Sequence, residues 1–335
     1  MEPLISVVVP AFNEGKYVAE ALTSLQSQTY KNIEIIFVDD FSKDDTAQIA
    51  ERVLGNGVTA YKIIRMKKNR GVSATRNAGL KEAKGYFVTF LDGDDYLLPH
   101  AIEALYKAAA DREPAAAVTI SGYRELDTAT GKTRIHRINK AVTSAMQPDE
   151  ITMSRILNKI PPEHSALYKR DFIAEHGITF NENCVNGEDC EFALKALSVS
   201  GRTAICHEIG YVYRVHERMT TRRPSETWQL RRYKDNTDAI GRTASFIMEN
   251  SESAKLYDLC SSILVPLVQL RHFSYLAMKK DLAGFESMLS ALDKKMIMNS
   301  RRSFIKKPEV HVRALTLLAF PKLYYRQYSK RIMHL

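Results

Sequence analysis

Cysteine and long hydrophobic runs are both scarce in this 335-residue chain. The four cysteines are scattered, with no Cys-x-x-Cys pair, which excludes a disulfide scaffold and a cysteine-rich zinc site and indicates reduced thiols in a cytoplasmic protein. The longest apolar run, residues 263–270, stops at Arg271, well short of the roughly 20 residues that a membrane span needs. Met1 leads almost directly into a strand-like segment, so no signal peptide is predicted.

Glycine-rich phosphate-binding motifs are also missing. No Gly-x-Gly-x-x-Gly follows the first predicted strand, which argues against a dinucleotide-dependent oxidoreductase. A nucleotidyltransferase that makes activated sugars would carry a glycine-rich loop with a basic residue near its N-terminus, and none is visible. Repeats and low-complexity tracts are absent, and a composition of 45% hydrophobic and 26% charged residues is ordinary for a packed globular protein.

Acidic residues nearly disappear at the C-terminal end. Residues 301–335 contain nine lysines and arginines against one acidic residue, Glu309, in a chain of net charge +9, which predicts an anionic partner. Between residues 312 and 332 basic side chains alternate with apolar and aromatic ones, which is typical of an interfacial helix on anionic lipid. A helix packed on the catalytic domain or on a second subunit, in a homo-oligomer, is an equal alternative. Nucleic acid is not predicted, because no binding motif accompanies the charge.

The first hundred residues alternate strand-like and helix-like segments, which predicts an α/β fold with a mostly parallel sheet flanked by helices. The predicted strands are residues 5–9, 33–38, 58–64 and 85–91, and the predicted helices are residues 14–28, 44–54, a segment ending at 83, and 98–110. Less regular segments follow: strand-like 115–123, 203–206 and 211–215, a polar stretch at 127–140, and helix-like 149–157. Beyond about residue 223 only helices are predicted. We expect the site where the strands end, at one edge of the sheet.

The predicted strand at residues 85–91 ends abruptly in three carboxylates, Asp92, Asp94 and Asp95, around one glycine. Carboxylate oxygens are ligands for hard divalent cations, and like charges held this close repel unless a cation lies between them. Capping of the next helix is the alternative for an acidic residue after a strand. We expect Asp95 to cap that helix and favour a metal site at Asp92 and Asp94.

Five short motifs, in this order, resemble those of the family-two nucleotide-sugar glycosyltransferases over roughly residues 4–220. They are VVVPAFNE at residues 7–14, VDDFS at 38–42, NRG at 69–71 with ATRN at 74–77, DGDD at 92–95 and GED at 187–189. The resemblance implies the GT-A fold, whose sheet is Rossmann-like and mostly parallel. It also implies an enzyme that moves a sugar from a nucleotide-sugar to an acceptor hydroxyl, in the biosynthesis of a glycan, glycolipid or cell-envelope polysaccharide.

The resemblance further implies roles for single residues of the donor site. Asp40 would accept a hydrogen bond from the N–H of a uracil base, which favours a UDP-sugar, and Asp94 would bind Mg²⁺ or Mn²⁺. Asp92 would contact the metal, the ribose or a bound water, and His216 would meet the metal or the diphosphate unless it is only structural. The other nucleotide-sugar-binding residues that the resemblance implies are Pro10, Ala11, Phe12, Glu14, Arg76, Glu188 and Arg214.

Asp189 is implied as the catalytic base that takes the proton of the acceptor hydroxyl. A single displacement would invert the anomeric configuration. Glu188 and Asp189 have a second interpretation, since the helix dipole stabilises acidic residues in a first helical turn, and both interpretations can hold. The basic residues that follow would either close over the phosphates or form a solvated loop; they are Arg218, Arg222 and Arg223.

The sequence departs from the family where many members have a Lys-Leu-Tyr string, because His164 and Ser165 stand on the acceptor side there. The identity of the acceptor is therefore left open, whereas the donor site is unaffected.

We predict two regions. Residues 1–222 would form the GT-A catalytic domain, with a nucleotide-sugar-binding half at 1–95 and an acceptor half at 96–222. Residues 223–335 would form a helical region that associates with a membrane or oligomerises. The protein would be cytoplasmic, either free or peripheral on the cytoplasmic face of the membrane.

Overall fold

Apolar segments with β-branched and aromatic residues form the strands of one sheet. The computed structural model describes residues 2–111, 113–140, 142–156, 165–217, 225–303 and 307–330. Within these residues the sheet has nine strands: β1 Ile5–Ala11, β2 Ile33–Asp39, β3 Ala60–Arg65, β4 Phe87–Phe90, β5 Tyr96–Leu97, β6 Val118–Asp127, β7 Thr133–His136, β8 Ser165–Lys169 and β9 Thr203–Val215.

The strand order is β3-β2-β1-β4-β8-β6-β9-β5, with β7 paired to β6. Strands β1 to β4 are mutually parallel, and β6 is parallel to β9. Antiparallel pairings involve only β5, β7 and β8 among the described strands. The predicted α/β fold with a mostly parallel, Rossmann-like sheet is therefore confirmed.

Helices connect the strands of this sheet and cover its faces. They are α1 Val18–Gln26, α2 Thr46–Gly55, α3 Val72–Glu82, α4 Ala101–Ala109, α5 Pro148–Ile156 and α6 Arg170–Glu175. Strand β1 is buried along its whole length, as expected for a parallel strand with helices on both faces. On one face Val7 and Val9 join a core with Leu22 of α1. On the other, Val8 meets α3 at Gly79, where an added Cβ would lie 2.3 Å from a valine methyl carbon.

The chain divides into two compact units. The first contains residues 1–185 and 200–217, and the second contains residues 186–199 and 218–335. The helix at 188–199 thus groups with the C-terminal helices, although strands of the first unit flank it in sequence. The predicted boundary between residues 222 and 223, and the two halves of the catalytic domain, stay predictions.

The second unit is helical. Its helices are α7 Glu188–Val199, α8 Glu226–Asn250, α9 Ala254–Leu259, α10 Val265–Met278, α11 Leu282–Ser290, α12 Lys294–Met298, α13 Pro308–Ala319 and α14 Pro321–Ser329, with a π-helical turn at Cys260–Leu264 and a 3₁₀ turn at Asn299–Ser303. The described residues beyond 225 contain no strand, which confirms the predicted helical region. No helix in the described ranges is long and apolar enough to span a bilayer.

A buried carboxylate joins two helices of the second unit. Glu191 of α7 has a side chain only 2% exposed, and it accepts hydrogen bonds from Arg242 of α8 at 2.7–3.0 Å and from Lys195 at 2.7 Å. Breaking such a pair by removing one partner costs about 3–5 kcal/mol, because the other charge stays buried. The contact fixes α7 against α8.

The structure corrects several expectations for single segments. Asp95 does not cap the next helix: α4 begins at Ala101, with His100 at the N-cap position. The polar stretch 127–140 contains β7, an edge strand whose residues are mostly exposed, and the two predicted strands at 203–206 and 211–215 are one continuous β9. Strands β5 and β8 were not predicted; β5 has only two residues. His164 lies outside the described residues.

Candidate active site

The candidate site begins where β1, β2 and β4 end, since parallel strands direct their following loops to one edge of the sheet. Pro10 and Ala11 are the last residues of β1, and Phe12 follows with 39% of its surface exposed. The loop after β4 lies against them, because the Gly93 N–H donates to the Pro10 carbonyl oxygen at 3.0 Å. A Cβ on Gly93 would lie 3.0 Å from that oxygen, so any other residue there would push the two loops slightly apart.

Asp95 holds in place the loop that follows β4, residues 92–95, which we call the acidic loop. Its carboxylate is fully buried and accepts hydrogen bonds at 2.7 Å from the Tyr211 hydroxyl and from the Arg214 N–H, both on β9. Burial raises the pKa of Asp95 well above its ordinary value, and the charges of Asp94 and Asp92 raise it further. Asp95 is therefore a structural residue that fixes its two neighbours at the surface.

The side chain of Arg214 holds the same loop by bonding to the backbone of the loop. Its guanidinium donates to the carbonyl oxygens of Asp94 and Asp95 and to the carboxylate of Glu20. It also lies over the rings of Tyr17 and Tyr96, at 4.9 Å and 5.1 Å from their centroids. These partners were not predicted, and no local pattern marks them. The role of Arg214 toward the nucleotide stays a prediction.

Asp94 lies at the centre of two groups of possible metal ligands. One group is Glu14, Asp94 and His216, and the other is Asp92, Asp94 and Asp95; within each group one ligand atom per residue lies within 4.8 Å of the others. Oxygen ligands with one imidazole suit Mg²⁺ or Mn²⁺. The structure thus places two predicted ligands, Asp92 and His216, near Asp94 in separate groups, and it adds Glu14, which was predicted to bind the nucleotide-sugar.

His216 follows β9 and is buried beside the acidic loop. Its Nε2 lies 3.0 Å from Asp94 Oδ2, and its ring lies 4.6 Å from that of Tyr17. Its Nδ1 is buried and has no hydrogen-bond partner among the described residues. An imidazole that lies beside the carboxylates of Asp94 and Glu14 fits a metal ligand.

Arg76 of α3 contacts the acidic loop from a second side. Its Nη2 donates to Asp92 Oδ1 at 2.7 Å, and its guanidinium lies 5.3 Å from the centroid of the Phe180 ring. The side chain of Arg76 is 9% exposed, against 30% for Asp92. Arg76 therefore fixes one oxygen of Asp92, so that the carboxylate has a defined direction.

Asp40 is buried at the end of β2, and its two oxygens accept the backbone N–H groups of Arg70 and Gly71 at 2.8 Å and 2.7 Å. Burial raises the pKa of Asp40, although these two hydrogen bonds oppose the shift. Gly71 has φ = 86°, a left-handed conformation that favours glycine. Asp40 thus shapes the loop before α3, and the predicted contact with a uracil base stays a prediction.

Glu188 and Asp189 occupy the first turn of α7 in the second unit. Glu188 is buried, whereas Asp189 is exposed and accepts a hydrogen bond from the Cys190 N–H at 2.7 Å. Both match the expectation of an acidic first helical turn. Their roles toward donor and acceptor stay predictions. The predicted basic loop with Arg218, Arg222 and Arg223 lies outside the described residues.

Comparisons with known proteins identify the class. The model of the family described as glycosyl transferase family 2 matches residues 6–177. GlyG, a glycosyltransferase of Streptococcus pneumoniae, is 36% identical over 131 residues, which are 39% of this chain and 42% of GlyG. EpsH of Bacillus subtilis is 29% identical over 254 residues, 75% of this chain and 71% of EpsH. This chain thus matches less than half the length of GlyG.

A solved structure supports the same fold. S. aureus TarS 1-349, in its complex with UDP-GlcNAc, superposes with a TM-score of 0.72 at 22% identity, over 98% of this chain and 91% of that one. The family match covers half of the chain, and the GT-A fold is confirmed by this neighbour. The chain belongs to glycosyl transferase family 2.

Proposed function

We propose that this chain transfers a sugar from a UDP-sugar to a hydroxyl of a glycan, glycolipid or polysaccharide acceptor, with inversion and with Mg²⁺ or Mn²⁺. The observation that carries the proposal is that Asp94, at the carboxyl edge of the sheet, lies near Glu14 and His216 in one group of possible metal ligands and near Asp92 in another. The UDP-GlcNAc complex of TarS, which has the same fold, supports a UDP-sugar as donor.

The chain's own residues prepare the donor site in three ways. Arg214 and Asp95 fix the loop that carries Asp94, and Arg76 orients Asp92. Phe12, exposed after β1, offers an apolar surface beside which the nucleoside would lie. A divalent cation held by Asp94 would neutralise charge on the leaving diphosphate. The fold therefore supplies a preorganised acidic loop, so that little reorganisation is needed when the donor binds.

Asp189 is our candidate for the catalytic base. The residue is exposed at the N-terminal turn of α7, and its Oδ1 already accepts the Cys190 N–H, which leaves Oδ2 to accept the proton of an acceptor hydroxyl. Attack by that hydroxyl on the sugar carbon, on the face opposite the diphosphate, gives a product of inverted anomeric configuration. Glu188, buried next to it, is proposed to contact the donor sugar.

The first experiment is calorimetric titration of UDP, GDP and dTDP with and without Mn²⁺. We expect UDP to bind in a Mn²⁺-dependent manner and Asp94→Asn to abolish that dependence. Asp171→Asn is the matched control, because it neutralises a carboxylate of the first unit whose side chain is 68% exposed. Preference for GDP or dTDP, or equal binding by Asp94→Asn, would contradict the proposed donor site.

The second experiment tests the base. Asp189→Asn should lower turnover by about 10²–10⁴-fold while Mn²⁺-dependent UDP binding is kept, since general bases contribute about that much. Glu252→Gln, an exposed acid of the second unit, is the control. NMR of the product's anomeric proton reports inversion or retention. Unchanged turnover in Asp189→Asn would exclude this base.

The C-terminal helices are proposed to lie on an anionic membrane surface, with the enzyme in the cytoplasm. The structure separates two faces of α13 and α14: Tyr324 and Tyr328 are buried in the second unit, whereas four apolar side chains are 45–63% exposed. These four are Val312, Leu315, Phe320 and Leu323. Exposed basic residues accompany them: Lys322, Arg326 and Lys330. Apolar side chains beside basic ones match an anionic bilayer surface in both polarity and charge.

Vesicle flotation tests this proposal. Phe320→Ser with Leu323→Ser should reduce binding to vesicles that contain phosphatidylglycerol, and Leu282→Ser, which removes a 49% exposed leucine elsewhere in the second unit, should not. Equal binding to neutral phosphatidylcholine vesicles would contradict the electrostatic part. If the double variant instead abolished a concentration-dependent dimer and left vesicle binding unchanged, a second copy of the chain would cover this surface.

A further inference from the structure

Two arginines of the second unit lie together without an acidic partner. Arg271 of α10 donates to the Thr237 hydroxyl at 2.8 Å and to the Asn236 side-chain oxygen at 3.1 Å, both on α8. Arg313 of α13 donates to the Ser274 hydroxyl at 3.1 Å, one helical turn after Arg271 on α10. Within the described part of the chain, every hydrogen-bond acceptor of these two guanidinium groups is neutral.

Aromatic rings complete the surroundings of both arginines. The guanidinium of Arg271 lies 4.3 Å from the centroid of the Tyr233 ring, and that of Arg313 lies 5.2 Å from that of Tyr328. Arg313 also donates to the Tyr324 hydroxyl at 3.2 Å. Four helices, α8, α10, α13 and α14, therefore contribute to one cluster, which we call the paired-arginine cluster.

This arrangement is electrostatically incomplete. Burial lowers the pKa of Arg271, and the charge of Arg313 lowers it further. For Arg313 burial is outweighed by the neighbouring Tyr324 and Tyr328, which raise the pKa; both arginines keep their protons. A desolvated cation is costly unless an opposite charge accompanies it, and here two cations share one neighbourhood. The same unit provides a contrast, because Arg242 of α8 is paired with the buried carboxylate of Glu191.

Unused donors remain in the cluster. Arg313 Nε is buried and has no hydrogen-bond partner among the described residues, and the Tyr233 hydroxyl makes none there either. Both arginines are intermediate in exposure, so neither is fully enclosed by the helices. Planar guanidinium groups with free N–H donors match the oxygens of a phosphate.

We propose that the paired-arginine cluster, Arg271 and Arg313 with the Tyr233 hydroxyl, binds a phosphate or diphosphate group. The site lies in the helical unit and uses none of the acidic residues around Asp94. Its anion comes either from a free phosphate compound or from the phosphate of a lipid, and the chemistry of recognition is the same in both cases.

The test is calorimetric titration of the full chain, in EDTA and at constant ionic strength, with inorganic phosphate, pyrophosphate and short-chain phosphatidic acid below its micellar concentration. We expect one equivalent to bind and Arg271→Gln and Arg313→Gln each to weaken binding at least tenfold. Arg231→Gln, which removes a 55% exposed arginine of α8, and Asp94→Asn should bind as the native chain does. Tighter binding of phosphatidic acid would identify a lipid phosphate, and equal binding a free one.

Folding of the variants is checked by thermal unfolding. Each glutamine variant removes one of two adjacent cations but also loses hydrogen bonds and a ring contact, so only a small change in the melting temperature is expected in buffer. Phosphate should raise the melting temperature of the native chain but not that of Arg271→Gln. Arg271→Lys keeps the charge without the planar fork and should bind several-fold more weakly. The proposal would be overturned if phosphate, pyrophosphate and phosphatidic acid all failed to bind saturably, or if Arg231→Gln weakened binding as much as the two cluster variants do.

Discussion

Replacing Arg214 by methionine should destabilise the first unit and loosen its acidic loop together. The substitution leaves the carbonyl oxygens of Asp94 and Asp95 without their donor, and each buried, unsatisfied polar group costs about 1–3 kcal/mol. Loss of the contacts with Tyr17 and Tyr96 adds about 0.5–2 kcal/mol each. Because methionine recovers part of the packing, we expect a net loss of about 3–5 kcal/mol in the free energy of unfolding.

Glu20 contributes little to this figure. Its side chain is 60% exposed and regains water when the guanidinium is removed. Arg65→Met is the matched control in the same unit, since the pair of Arg65 with Glu51 is about half exposed on both sides and is worth about 0–1 kcal/mol. Arg214→Lys should lie between the two variants, because an ammonium reaches fewer of the three acceptors at once.

The assay is urea unfolding followed by circular dichroism, combined with Mn²⁺-dependent UDP binding by calorimetry. Arg214→Met should lower the unfolding midpoint and, at temperatures where it is folded, weaken metal-dependent binding at least tenfold, whereas Arg65→Met should change neither. A loss of stability below about 1 kcal/mol, or native binding by a clearly destabilised Arg214→Met, would refute the reasoning that this side chain holds the metal-binding loop in place.

Three further predictions concern the same unit. Tyr211→Phe removes a 2.7 Å hydrogen bond to the buried Asp95 and should cost about 1–3 kcal/mol in urea unfolding; a neutral result would mean that water replaces the hydroxyl. Gly210→Ala places a Cβ 2.4 Å from a carbon of α4 and should lower the free energy of unfolding by about 1–3 kcal/mol. Gly201→Ala, whose Cβ would have no atom within 4 Å, is the control and should lie within about 0.5 kcal/mol of the native chain. Equal melting temperatures of the two variants would contradict the packing argument. His216→Gln should weaken Mn²⁺-dependent UDP binding about 10–100-fold by calorimetry with a small change in melting temperature; unchanged affinity would make this histidine purely structural.

Local sequence patterns were sufficient for the parallel half of the fold. Strands β1 and β2 are mostly apolar, and helices α1 and α2 bury apolar residues at helical spacing, so their existence and type could be predicted. Strand β7 could not be predicted, since it is an edge strand made mostly of exposed polar residues that pairs only with β6. Strand β5 has two residues, too few to give any alternation.

The site shows the same division between local and distant information. Asp92 and Asp94 could be placed at the end of a strand from the sequence alone, and the structure puts them there. The role of Asp95 could not, because its partners Tyr211 and Arg214 lie 116 and 119 residues further along the chain. A short motif shows which residues are present but not which of them face inward. That depends on pairings across the sheet.

The division of the chain has a consequence for how such proteins can be recombined. Helix α7 belongs with the C-terminal helices, yet it is inserted between β8 and β9 of the first unit, so the backbone passes between the units at three points. A truncation after residue 217 would leave the buried Glu191 without Arg242. A chimera that exchanges the C-terminal helices must therefore carry a matching α7. Changes in the helical unit that alter its contacts with α7 need matching changes in α7, which lies in sequence between strands of the first unit.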